Sequence, residues 1–165
     1  KPDDDLAIAQ RENKLYRNFQ GYSTHSECDL IGLGVTSIGS VGDSYSQNQR
    51  TLEEYANSIN HNELPVFRGF TLNDDDKIRR VVITRLICHF SLDIKAIEKE
   101  LNIIFSDYFA DVIPKLDQFS QDGLLRYDDN KIEVLPAGHL LIRNICMVFD
   151  FYMQQKAAKH FSKVI

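Results

Sequence analysis

The stretch GLLRYDDNKIEVLPAG, Gly123 to Gly138, constrains the fold of its chain more than any other. Two short runs, Leu124–Tyr127 and Lys131–Leu135, flank the turn residues Asp128–Asn130, and alternation with such a turn predicts a β-hairpin. The text before it is helical. Thr71 or Asn73 can cap a helix whose first turn carries Asp74, Asp75 and Asp76, acids suited to the positive end of the dipole. Ile78, Val82, Leu86 and His89 then recur at helical spacing. Ser91 or Asp93 opens DIKAIEKEL. A third helix, Ile103 to Asp122, has Ser106 as its cap and Gly123 as its stop, and Pro114 must kink or divide it. After the hairpin, Pro136 and Gly138 lead into one long helical pattern, HLLIRNICMVFDFYMQQKAAKHF.

Three helices, a hairpin and a helix make the order of a winged-helix domain, so duplex binding is the first function to test. Charge excludes it. The third helix carries Asp107, Asp111, Asp117 and Asp122 against Lys115, and phosphates supply most of the affinity in such complexes. In the hairpin, Arg126 and Lys131 are offset by Asp128, Asp129 and Glu133, and the whole chain carries a net charge of −5. No apolar run approaches the ~18 residues of a membrane span, and the charged start KPDDDLAIAQREN is no signal peptide. Cys28, Cys88 and Cys146 lie far apart without a CxxC pattern, which predicts reduced thiols in a cytoplasmic protein. The five histidines are scattered without metal-ligand spacing, so no metal site is expected.

Residues 1–70 differ in character: a helix in DDLAIAQREN, a strand with a glycine-rich turn, a short helix in TLEEYANSIN and a link ending HNELPVFRGF. Gly32-x-Gly34-x-x-Ser37 nearly spells a dinucleotide fingerprint. Ser37 stands where the third glycine belongs, and IGSVGDSYSQNQ is too rich in Gly and Ser to open a helix, so a strand ending in a packed turn is expected instead. At the other end, ICMVFDFYM from Ile145 to Met153 is broken only by Asp150, more apolar surface than one buried stripe needs. That helix is expected to pack on both halves.

Taken together, RNFQGYSTHSECDLIGLGVTSIG, DSYSQN, FRGF, DDDKIRRVVITRLICHF, DYFAD and GHLLIRNICMVFDFYMQQK resemble the C-terminal portion of the bacterial oxygen-independent coproporphyrinogen III oxidases. These are radical S-adenosylmethionine enzymes of haem synthesis. The resemblance covers essentially the whole chain. It implies an α+β protein: residues 1–70 as the C-terminal end of a radical-SAM part-barrel, and 71–165 as a mainly helical, winged-helix-like domain. By motif match, Phe19, Gln20 and Ile38 would contact S-adenosylmethionine. The family holds a [4Fe–4S] cluster through a CxxxCxxC that this sequence lacks. The chain is therefore expected to be a fragment, with no catalytic residue of its own and no activity without the preceding barrel part. The implied substrate is coproporphyrinogen III, decarboxylated oxidatively to protoporphyrinogen IX, in a cytoplasmic monomer with no nucleic-acid or membrane partner. The rival reading, a stand-alone winged-helix module for protein or nucleic acid, would be decided by the upstream coding sequence.

Overall fold

The computed structural model describes residues 1–26 and 28–153 and is a mixed α/β structure. Helix α1 (Asp5–Arg11) starts on Asp4, whose carboxylate accepts the Leu6 amide at 3.0 Å. A small hairpin follows, β1 (Tyr16–Asn18) and β2 (Gly21–Ser23), turned by the Asn18 side chain accepting the amides of Gln20 and Gly21. Strands β3 (Ile38–Val41) and β4 (Ser44–Asn48) meet at a tight turn where Gly42 takes φ +53°. Helix α2 (Leu52–Asn60), capped by Thr51, leads to β5 (Val66–Thr71), which pairs antiparallel with the other edge of β4. The expected link HNELPVFRGF thus ends in a strand. All six residues of β5 are exposed, so no alternation of burial marks it in the sequence.

The second half opens on α3 (Asp74–His89), held by a capping box: Asn73 Oδ1 accepts the Asp76 amide at 2.9 Å and Asp76 Oδ2 accepts the Asn73 amide at 3.0 Å. A short strand β6 (Ser91–Asp93) follows, and Asp93 then caps α4 (Ile94–Leu101). The expected third helix is two, α5 (Phe105–Tyr108) and α6 (Ile113–Gln121), divided where Pro114 enters the first turn of α6. Ser106 caps neither, since Ile104 stands at the start of α5 without a side-chain bond. The hairpin is present as β7 (Leu125–Tyr127) and β8 (Lys131–Val134), with Asp128 Oδ1 accepting the amides of Asn130 and Lys131. β6 pairs with β8 to give a three-stranded sheet in the order β6-β8-β7.

The long final helix is instead broken into pieces, α7 (Pro136–His139), α8 (Ile142–Met147) and a new helical turn at residues 151–153. Asp150 causes the last break, because its carboxylate accepts the Met153 amide at 3.0 Å and caps the new turn. The expected continuation to Phe161 falls outside the described residues.

One core unites the second half: Val82, Leu86, Leu92, Ile97, Leu116, Leu125, Ile132 and Ile145 are all buried around the rings of Phe105, Phe109 and Phe149. Elements of the first half meet the second at several points. Ala9 and Leu15 pack on Cys88 and Ile87, and the Phe70 ring meets Tyr152 edge-on at 5.7 Å. Tyr152 also donates to Asp76 Oδ2 at 3.4 Å. The final turn therefore touches both halves. Burial pushes the Cys88 thiol up to about 11 and the Cys146 thiol up to about 12, so both are inert packing residues, while Cys28 is exposed.

Asp75 fastens α3 to this core. Its carboxylate accepts both Arg79 Nε contacts, at 2.9 and 2.8 Å, and the Tyr108 hydroxyl at 2.6 Å, while Arg79 Nη1 donates to the Phe149 carbonyl at 3.0 Å. Burial alone would raise the Asp75 pKa, but the Tyr108 hydroxyl and Arg79 outweigh it and leave it below its ordinary 3.8. A lowered folded pKa means the stabilisation is full above the ordinary value and drains as pH falls through the folded one. The Tm gap between wild type and Asp75→Asn is expected to be wide at pH 6 and to close below about pH 3.8. A gap of constant width in a pH series of thermal melts would show that the charge contributes nothing.

Candidate functional site

The glycine-rich segment approaches its own main chain. Leu30 pairs with Ser40, a Cβ on Gly32 would meet the Ile38 carbonyl carbon at 2.9 Å, and one on Gly39 would meet the Leu30 oxygen at 3.0 Å. Buried Asn48 ties the loop down: its Nδ2 donates to Gly32 O at 2.9 Å, Gly34 O at 3.0 Å and Ser37 Oγ at 3.1 Å. Strand β3 follows where a dinucleotide fingerprint would need a helix, so the packed-turn reading holds.

The register then defines a face. Ile38 lies opposite Gln47, which lies opposite Arg68; two residues along, Ser40, Tyr45 and Phe70 form a second row. Directly paired residues share a face and the pleat repeats every two, so both rows project from the same side. The Phe19 ring stands edge-on to Tyr45 at 5.1 Å, which sets the β1–β2 turn beside that face. Phe19 is 52% exposed. Gln20, next in the turn, donates its amide to Asn18 and leaves its side chain exposed. With Gln20 next to Phe19 in the turn, Phe19 and Ile38 thus fall at one sheet face. Tyr45, Gln47 and Arg68 share it, and only strand register identifies them; Arg68 lies in the strand whose exposure hid it.

This surface suits an adenosyl-sulfonium ligand: a ring edge and an aliphatic side chain for apolar contact, and an amide that both donates and accepts. It does not suit an iron–sulfur cluster. Among the described residues no three His, Cys, Asp or Glu gather as a metal group, and two of the thiols are held protonated by burial. A second concavity, a cleft of about 950 Å³, opens between α3 and the loop near Cys28. Its arginines are matched by acids, Arg80 beside Asp43 and Arg85 beside Glu100, so it makes no anion receptor.

Residues 72–141 match the family described as HemN C-terminal domain. The chain is 49% identical to oxygen-independent coproporphyrinogen III oxidase of Escherichia coli over 100% of its own length and 36% of that protein's. It is 48% identical to the Pseudomonas aeruginosa protein of the same description, over 99% of this chain and 36% of that one. A solved structure of coproporphyrinogen III oxidase (HemN) from Escherichia coli, described as a radical SAM enzyme, superposes with TM-score 0.88 at 48% identity, covering 92% of this chain and 35% of that one. The chain thus spans little more than a third of the length of these relatives. Its second half matches the HemN C-terminal domain, and the whole chain is similar to a portion of the oxygen-independent coproporphyrinogen III oxidases.

Proposed function

We propose that this chain serves as the C-terminal part of a cytoplasmic, monomeric enzyme that decarboxylates coproporphyrinogen III oxidatively to protoporphyrinogen IX. The observation that carries the reading is alignment at 48–49% identity along 99–100% of the chain with relatives that share this one description. Residues 1–70 form the end of the radical-SAM barrel and 71–165 a winged-helix-like domain, whose small sheet β6-β8-β7 takes the place of the wing. That wing is structural, because the charge against nucleic acid stands. When bound, S-adenosylmethionine and a [4Fe–4S] cluster held outside this chain would supply the hydrogen-atom abstraction that starts decarboxylation of a propionate to a vinyl group, the remaining electron passing to an external acceptor. Phe19 and Ile38 give the cofactor its apolar wall, and Gln20 hydrogen-bonds its polar edge.

The test uses the full-length protein, cluster reconstituted without oxygen. Phe19→Ala and Ile38→Ala are each expected to weaken S-adenosylmethionine binding about 10-fold or more, because each strips away apolar surface that shields the cofactor from water. Phe19 is half exposed, so its removal should leave the fold intact. Wild-type affinity in both variants, or a reconstituted full-length protein that does not consume coproporphyrinogen III, would overturn the proposal.

A further inference from the structure

We infer that Arg68, positioned by Gln47, is the carboxylate receptor of the site proposed above, binding either the methionyl carboxylate of S-adenosylmethionine or a propionate of the porphyrinogen. The inference rests on that proposed reading of the sheet face. Arg68 lies two strands from Ile38 in the same row, so their Cα atoms are about 10 Å apart at ordinary strand spacing. Its Nε donates to Gln47 Oε1 at 2.9 Å, and Gln47 Nε2 donates in turn to Thr36 O at 3.2 Å. Both ends of the Gln47 amide are thereby tied, and the guanidinium is fixed by a neutral partner that leaves its charge uncompensated. Among the described residues Arg68 has no ion pair, whereas Arg79, Arg80 and Arg85 each lie beside a carboxylate. A planar guanidinium bonded only at Nε still offers its two Nη groups, the geometry that takes a carboxylate in bidentate fashion.

In the full-length protein, Arg68→Ala and Arg68→Lys are titrated with four probes: S-adenosylmethionine, its carboxylate methyl ester, coproporphyrin III and its tetramethyl ester. Arg68→Ala is expected to weaken one free acid about 10- to 100-fold and its ester less than twofold, with partial recovery in Arg68→Lys. Which acid responds names the ligand. Equal affinity of wild type and Arg68→Ala for both acids would overturn the assignment, as would equal losses for acid and ester. The Phe19→Ala and Ile38→Ala variants keep the two claims apart: if they weaken S-adenosylmethionine while Arg68→Ala changes nothing, only Arg68 is wrongly assigned. If they too are silent, the reading of the face as a cofactor site fails with it.

Discussion

Phe149→Ala is expected to lower the stability of the chain by about 3–5 kcal/mol, whereas Phe151→Ala, two residues on, costs under about 1.5 kcal/mol. Phe149 is 0% exposed and packs against Phe109 at 5.3 Å, so truncation opens a void that rings on rigid helices cannot close. Its carbonyl also accepts from Arg79, which ties the backbone there and limits relaxation further. Phe151 is 41% exposed; its truncation removes an edge-on packing with Tyr152 and the Arg79 guanidinium 5.5 Å from its ring centre. Thermal unfolding of both variants decides it, and equal shifts in Tm would show that the capped break at Asp150 does not separate the two positions.

Gly138→Ala should be nearly as damaging, at about 3 kcal/mol, although it adds one carbon. A Cβ there would lie 2.2 Å from the Leu124 carbonyl oxygen and 2.9 Å from Val134 Cγ1. The nearest obstacle is backbone at the entry to β7, so no rotamer change relieves it; α7 must lift from the sheet and lose the packing beneath it. Urea titration should show a reduced midpoint with an unchanged slope. A midpoint equal to wild type would mean that α7 shifts without loss.

Local chemistry made most of the second half legible. The Asn73 capping box, the Asp93 cap and the Asp128 turn each depend on residues within three positions of one another; the sequence offers Thr71 or Asn73 and Ser91 or Asp93 as caps, and the structure uses the second of each. Helix continuity was harder to read. Asp150 looked like a polar interruption of an apolar run, because a carboxylate inside a helix and one capping the next turn read alike in text. Strand β5 and Arg68 were hidden for another reason: a strand exposed on all residues carries no periodicity, and only its pairing with β4 defines it. Phe19, Gln20 and Ile38 came from resemblance alone. The face that Ile38 shares exists through registers such as Tyr45 with Phe70, and Phe19 reaches it through its ring contact with Tyr45, neither of which a local pattern encodes.

The rings that meet at the β3–β4–β5 sheet give the chain an optical property. It contains no tryptophan, so its near-ultraviolet signal is dominated by seven tyrosines. Tyr45 and Tyr152 stand where the β3–β4–β5 sheet meets Phe19 on one side and the final helical turn on the other. Tyr108 and Tyr127 instead donate to Asp75 and Asp117 within the second half, and each is pushed up to about 12. The same chromophore thus occurs in two places: Tyr45 and Tyr152 in ring contacts at the junction, and Tyr108 and Tyr127 bonded to carboxylates away from it. Separating the halves would change the first set and spare the second, so the chain carries a spectroscopic label for its own junction.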